Sequence, residues 1–131
     1  MRAVDTNVLV RALVRDDAAQ SGRAEKLLAA DAVYIPVTVV LELESVLRSR
    51  YGYAPALVAR AIEGLAALGN VVLGERDAVI AAAARVAQGW DFADALHHAL
   101  SAGCADFVTL DASLARLAAR GARVLPTVTR L

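Results

Sequence analysis

Short runs of apolar, largely β-branched residues alternate with helical segments, and this alternation restricts the fold more than any other feature of the chain. The runs that predict strands are residues 2–5, 33–35, 71–73, 106–109 and 124–125. Continuous rather than alternating apolar residues are typical of strands in a parallel sheet that is buried on both faces. The sequence therefore predicts an α/β fold in which a short-stranded, mainly parallel sheet lies between two layers of helices.

Helical segments fill the intervals between these runs. Periodic apolar positions and terminal Gly or Asp residues predict helices at residues 7–15, 18–30, 37–51, 55–68, 76–87, 91–103 and 112–120. In open parallel sheets the ligand crevice lies beyond the carboxyl ends of the strands. A chain of 131 residues has room for one core, so we expect residues 1–131 to form a single domain.

Composition narrows the class of protein further. The chain is 58% apolar, but no stretch approaches the roughly 20 uncharged apolar residues of a membrane span. The N-terminal residues enter a predicted strand at once and show no leader pattern. Cys104 is the only cysteine, which fits a reducing compartment. We therefore expect a cytoplasmic protein with no membrane partner.

Carboxylates stand where predicted strands or turns lead into helices. Asp5 follows the first strand, and Asp111 follows the fourth. Asp91 and Asp94 open the sixth helix. Each has a structural explanation as a helix-capping residue. Gathered in one pocket, the same side chains would offer hard oxygen ligands to Mg²⁺ or Mn²⁺, and water activated by such a metal attacks phosphodiesters.

Two glutamates lie inside the third predicted helix. Glu44 has Arg48 four residues on, which predicts an ordinary exposed ion pair. Glu42 has no cation at that spacing. The predicted apolar stripe of this helix is Val39, Leu43, Val46 and Leu47. Both glutamates then lie at its flanks, and the missing partner favours Glu42 as the functional residue.

The two histidines are adjacent, at positions 97 and 98. The predicted buried stripe of their helix is Phe92, Leu96, Ala99 and Leu100, with Asp94, His98 and Ser101 on the opposite side. A Zn²⁺ site needs several imidazole or thiolate ligands, which one cysteine and an adjacent histidine pair do not supply. We expect both histidines to be structural or peripheral.

At these residues the sequence resembles the PIN-domain nucleases, and among them the VapC-type toxins of type II toxin–antitoxin pairs. The resemblance rests on residues 4–11, on Gln20, Ala24, Leu27 and Leu28, and on residues 40–43, 46–47, 91–97 and 108–111. The motifs occur in the family's order and spacing over most of the chain. Two positions depart from the family pattern. The family often has an aromatic residue at the position of Ser45 and a phenylalanine at the position of Leu110.

The resemblance implies a PIN-like fold, a Mg²⁺- or Mn²⁺-dependent endoribonuclease, an RNA substrate, a small antitoxin partner and a homodimer. The family's catalytic acids fall on Asp5, Glu42, Asp94 and Asp111. Of these, Asp5 and Asp94 are the expected direct metal ligands. Supporting polar positions fall on Asn7, Asp91 and Thr109.

Two other readings stay open at this point. One is a PIN-like module that binds RNA or assembles with other proteins after its site has decayed. The other is a Mg²⁺-dependent phospho-accepting receiver or phosphatase domain. The latter class needs a second aspartate just after the nucleophile or a late lysine, whereas Thr6 and Asn7 follow Asp5 and the only lysine is Lys26.

Overall fold

The computed structural model describes residues 1–121 and 123–131 and shows an α/β fold. Over these residues the elements are β1 (Arg2–Ala3), α1 (Thr6–Val14), α2 (Ala18–Ala30), β2 (Val33–Ile35), α3 (Val37–Ser49), α4 (Pro55–Ala67), β3 (Val71–Leu73), α5 (Arg76–Val86), α6 (Phe92–Ala99), β4 (Asp106–Thr109), α7 (Ala112–Ala118) and β5 (Thr127–Arg130). The predicted helices and the first four strands are confirmed within a few residues. No helix in the described ranges has the length and apolar character to cross a membrane.

All the strand pairs in the described residues are parallel, as predicted. β1, β2 and β3 form one hydrogen-bonded group in that order, and β4 and β5 form a second. Arg2 pairs with Val33, and Val33 with Val71. The backbone N–H of Val4 donates to Tyr34 at 3.2 Å, so pairing continues to the residue before Asp5.

The last strand lies at Thr127–Arg130, so its predicted position at residues 124–125 was wrong. Pro126 separates the two positions. Proline has no backbone N–H to donate to a ladder, and it commonly stands just outside a strand. β5 therefore begins after the proline and pairs with all of β4, from Asp106 opposite Thr127 to Thr109 opposite Arg130.

The core forms where helices pack on the first three strands. Val33 and Ile35 of β2 are fully buried on one face of the strand, and Tyr34 on the other face is half-buried. The side-chain amide of Asn70 donates to the carbonyl oxygens of Leu28 and Asp31 at 2.6 and 2.7 Å, which secures the end of α2 against the start of β3. These contacts lie at the amino ends of β2 and β3, opposite the edge of the sheet at which α1 and α3 begin.

Candidate active site

Asp5 lies at the point where β1 leads into α1. Its backbone is extended, and its Oδ1 accepts a hydrogen bond from the N–H of Val8 at 3.4 Å. The aspartate is thus the N-cap that the structural explanation requires. The cap bond is long, and the side chain is exposed. Asp5 therefore caps α1 and still presents a carboxylate to the surface.

Thr6 connects Asp5 to Glu42. The Thr6 side chain is buried, and its hydroxyl donates to Oε1 of Glu42 on α3. This contact brings Glu42 to the residue that follows Asp5 along the chain. Glu42 itself is exposed and forms no salt bridge with any residue that the structure describes. The structure thus places Glu42 at the β1–α1 end of the sheet, as a functional role would require.

Glu44 is buried, so its predicted exposure was wrong, although its predicted ion pair with Arg48 is confirmed. Only 3% of the residue is accessible, and its carboxylate accepts from Arg48 at 2.9 Å (Nε) and 3.5 Å (Nη2). The buried stripe of α3 is Val40, Leu43, Glu44 and Leu47, whereas Val39 and Val46 are only half-buried. The predicted stripe was therefore placed on a neighbouring face of the helix.

Arg48 compensates the charge of Glu44 and is also affected by the charge of Asp91, the N-cap of α6. The pKa of the Arg48 guanidinium is raised, mainly by its hydrogen bond and charge interaction with Glu44 and to a lesser extent by the charge of Asp91. A buried carboxylate needs such a partner, since an unpaired buried charge is strongly unfavourable. Glu44 therefore has a structural explanation that Glu42 lacks.

Asp91 and Asp94 occupy the first turn of α6. Asp91 is the N-cap, and its Oδ2 accepts from the backbone N–H of Asp94 at 3.1 Å. The pKa of Asp94 is raised, first by burial and then by the charges of Asp91 and Asp111, while His97 acts in the opposite direction. Like charges close together disfavour ionisation. The charges of Asp91 and Asp111 therefore both act on Asp94.

Asp111 caps α7, just after β4. Its Oδ1 accepts from the backbone N–H groups of Ser113 and Leu114 at 2.8 and 3.2 Å. The hydroxyl oxygen of Thr109 accepts from the Asp111 N–H at 3.0 Å and so supports this turn. Oδ2 of Asp111 has no hydrogen bond to any described residue. One oxygen thus fixes the side chain, and the other is available to a ligand.

The candidate acids form two groups. Asp5 and Glu42 are joined through Thr6, and Asp94 lies with Asp91 and Asp111. None of the five forms a salt bridge with a described residue. The described side chains include no group of three or more His, Cys, Asp or Glu already arranged to hold a metal ion. The donor chemistry nevertheless fits Mg²⁺, which takes oxygen ligands and commonly uses one or two carboxylates while keeping several waters.

Asn7 is exposed near the start of α1 and lines a groove between α1 and α2. It makes no hydrogen bond to the candidate acids within the described residues. The structure therefore puts this predicted supporting residue beside Asp5 in the chain, and its contact with the acids stays a prediction.

His98 is fully buried, so the prediction that it lies opposite the buried stripe was wrong, whereas a structural role is confirmed. Its Nδ1 is 2.6 Å from Nη1 of Arg85, and its Nε2 is 2.7 Å from the carbonyl oxygen of Pro126. A guanidinium can only donate, so Nδ1 accepts and Nε2–H donates to Pro126. His98 therefore connects α5, α6 and the segment before β5.

The model of the PIN domain family matches residues 2–120 of the chain. The chain belongs to the PIN domain family. The predicted PIN-like α/β fold is thereby confirmed, and the match spans every candidate acid. A comparison with curated proteins gives no match. PIN domains are generally metal-dependent nucleases, so family membership supports a nuclease class for the acidic site described above.

Sequence reasoning missed two features of the structure near this site. One is the contact of His98 with Arg85 and Pro126, which joins residues far apart in the chain and leaves no periodic signal. The other is the placement of three arginines around the groove that contains Asn7. Lys26 is the only lysine among 14 basic residues, so arginine predominates, but the sequence does not indicate which arginines share a surface.

Proposed function

We propose that this protein is an endoribonuclease that acts as the toxin of a toxin–antitoxin pair and depends on Mg²⁺, with Mn²⁺ as a substitute. The observation that carries the proposal is the set of carboxylates without salt bridges to described residues, with Glu42 held by the Thr6 hydroxyl next to Asp5 and Asp94 beside Asp91 in the first turn of α6. Clustered carboxylates of this kind are relieved by a divalent cation. Family membership supplies the nuclease class.

The proposed catalytic residues are Asp5, Glu42, Asp94 and Asp111, with Asp5 and Asp94 as the direct metal ligands. The metal, when bound, would supply Lewis acidity that lowers the pKa of a water and neutralises charge on the attacked phosphate. Asn7, Asp91 and Thr109 are proposed as supporting residues. Thr109 is suited to this role because it fixes the turn that presents Asp111.

Glu42 is proposed to orient the attacking water and to accept its proton. Its Oε1 is held by the Thr6 hydroxyl, and the exposed carboxylate has no competing salt bridge among the described residues. A base must be positioned within hydrogen-bond reach of the proton that it accepts. Attack by water does not use the ribose 2′-hydroxyl, so the products would be a 5′-phosphate and a 3′-hydroxyl.

The proposed partner is a small antitoxin that covers the acidic site, and the active species is proposed to be a homodimer of single-domain chains. An arginine of the antitoxin could pair with two of the carboxylates through its planar guanidinium. Such a contact would compete directly with the metal. Inhibition would then be lost when that arginine is replaced by alanine, even where the complex persists.

The proposal is tested by cleavage of a 5′-labelled single-stranded RNA by the purified wild-type protein, with Mg²⁺ and with EDTA. We expect cleavage only with the metal, and loss of cleavage in Asp5→Asn and Asp94→Asn. Asp106→Asn is the matched control. Asp106 is also an exposed aspartate, but it lies at the start of β4, whereas the candidate residue Asp111 follows the end of that strand. Undiminished cleavage by metal-free wild-type protein would contradict the proposal.

The same experiment separates an active enzyme from a binding or assembly module with a decayed site. Such a module would bind RNA and leave it intact under every metal condition. Growth after induced expression tests the toxin role independently: wild-type protein should arrest growth, and the Asp94→Asn variant should not.

A further inference from the structure

A groove of about 460 Å³ lies between α1 and α2, next to the proposed active site. Its polar lining consists of Arg2, Asn7, Arg11, Gln20 and Arg23, and its remaining walls are apolar. None of the lining residues is acidic. Three arginines and two amide side chains therefore line a single cavity whose lining includes no carboxylate, while Arg2 and Arg11 pair with Asp31 and Asp16 outside the lining.

Arg11 is held in a fixed orientation within this groove. Its Nε donates to Oε1 of Gln20 at 2.6 Å, and its Nη1 donates to Oδ1 of Asp16 at 2.7 Å. Its backbone carbonyl accepts from the hydroxyl of the buried Ser21 at 2.7 Å, which ties α1 to α2 at this point. Because its orientation is set in advance, Arg11 loses little freedom when an anion arrives.

Arg2 and Arg23 are less restricted. Arg23 is exposed and forms no salt bridge with any residue in the described ranges. Arg2 pairs with Asp31 at 3.1 Å, but the two side chains are 66% and 41% exposed. An exposed pair is weak and is readily replaced by another anion. Both arginines can therefore turn toward a ligand in the groove.

The groove continues from the proposed active site. Asn7 comes two residues after Asp5 and directly follows Thr6, whose hydroxyl donates to Glu42. Arg11 lies one helical turn beyond Asn7, which is about 6 Å along the axis of α1. A strand with one phosphodiester at the acids would thus find the basic groove beside its neighbouring nucleotides.

We propose that this groove binds the backbone phosphates of the single-stranded nucleic acid that is cleaved, with Arg2 and Arg23 as the principal contacts and Arg11 as a fixed one. The inference rests on the proposed function, since it assigns the substrate path of that same site. Guanidinium groups suit phosphate because their planar forks donate two parallel hydrogen bonds. Phosphate contacts position a strand and carry no base specificity.

The test measures binding of fluorescein-labelled single-stranded RNA by anisotropy, with Asp94→Asn as the parent so that the RNA stays intact. Arg23→Gln and the double variant Arg2→Gln/Arg23→Gln are compared with the parent over a range of salt concentrations. Arg60→Gln is the matched control, because Arg60 is exposed on α4, away from the groove, and has no salt bridge among described residues. Thermal melting verifies that each variant is folded.

For each arginine that contacts a phosphate, the slope of log K against log salt should become shallower by about 0.7. The loss of affinity should be the same for poly(U) and poly(A). An unchanged slope in the double variant would overturn the assignment of the groove. So would tighter binding of a polyglutamate peptide than of RNA by the parent, which would indicate an acidic protein partner instead.

A wrong assignment of the groove can be distinguished from a failure of the proposed function. If wild-type protein cleaves RNA with Mg²⁺ and the groove variants bind it as tightly as the parent, the active site stands and the groove is wrongly assigned. Absence of both cleavage and binding in the wild-type protein would overturn the two proposals together.

Discussion

Replacement of His98 by alanine should destabilise the protein severely. The side chain is fully buried, so its removal leaves a cavity, and the Arg85 guanidinium and the Pro126 carbonyl each lose a hydrogen-bond partner. The ring also packs against Trp90 and Phe107, with centroid distances of 5.5 and 5.7 Å. Loss of a large buried side chain costs about 2–5 kcal/mol, and an unsatisfied buried polar group costs about 1–3 kcal/mol.

We therefore expect His98→Ala to lower the free energy of unfolding by about 3–5 kcal/mol. At about 2.1 cal/mol/K per residue, the entropy of unfolding of such a chain converts this loss into a drop in Tm of roughly 10–20 °C. Urea denaturation followed by circular dichroism gives the free energy, and a thermal scan gives the Tm. His97→Ala is the matched control, because His97 is exposed and a surface change of this kind stays within about 0.5 kcal/mol.

A second variant separates packing from hydrogen bonding. His98→Phe keeps most of the ring volume but cannot accept from Arg85 or donate to Pro126. It should still cost roughly 1–3 kcal/mol. If His98→Phe were as stable as the wild-type protein, the two hydrogen bonds would contribute nothing. If His98→Ala and His97→Ala had the same free energy of unfolding, His98 would have no structural role.

Three further predictions concern the acids. A saturating divalent cation, at about 100 times its Kd, should stabilise the wild-type protein by about 2.7 kcal/mol and raise its Tm by roughly 10 °C. The shift in Tm should be much smaller in Asp94→Asn. Equal shifts of the two proteins in a thermal scan would argue against Asp94 as a ligand. Because the pKa of Asp94 is raised in the folded protein, its ionisation at neutral pH costs stability, and this cost disappears below the ordinary aspartate pKa of about 3.9. In EDTA, Asp94→Asn should therefore be more stable than the wild-type protein at neutral pH, with the difference lost in acid; urea denaturation at the two pH values tests the sign. Glu44→Gln should lower the free energy of unfolding by about 1–2 kcal/mol, because Glu44 is buried and Arg48 is only partly buried. The cleavage rate per folded molecule should be unchanged in Glu44→Gln, whereas Glu42→Gln should abolish cleavage. A cleavage defect in folded Glu44→Gln would reverse the choice between the two glutamates.

The α/β fold could be predicted from the sequence because local signals were strong and consistent. Runs such as Val33–Ile35 and Val71–Leu73 have continuous apolar character and flanking turn residues, and they form the central strand and an edge strand of the first sheet. The capping role of the aspartates before helices could also be predicted, since Asp5, Asp91 and Asp111 all act as N-caps. A capping role depends on residues within one turn, which a linear sequence displays directly.

The predictions that failed depended on partners distant in the chain or on the exact face of a helix. The buried stripe of α3 was predicted on the wrong face because its valines and leucines are compatible with more than one face. Only packing against the rest of the protein determines that Val40 rather than Val39 is buried. His98 was placed on the outer face because nothing local indicates the Pro126 carbonyl that covers it. The same limit applies to the groove, whose arginines come from β1, α1 and α2.

The pairing of β4 with β5 alone, within the described residues, has a consequence for protein synthesis. Asp5 and Glu42 lie on early elements, but Asp111 follows a strand whose described strand partner is Thr127–Arg130, which leaves the ribosome after every other described strand. Translation proceeds at about 5–20 residues per second. A nascent chain would therefore carry the early acids for seconds before β5 could dock and fix the turn at Asp111. In a protein proposed to attack the RNA of its own cell, this order of assembly would delay activity until almost all of the described chain had been made.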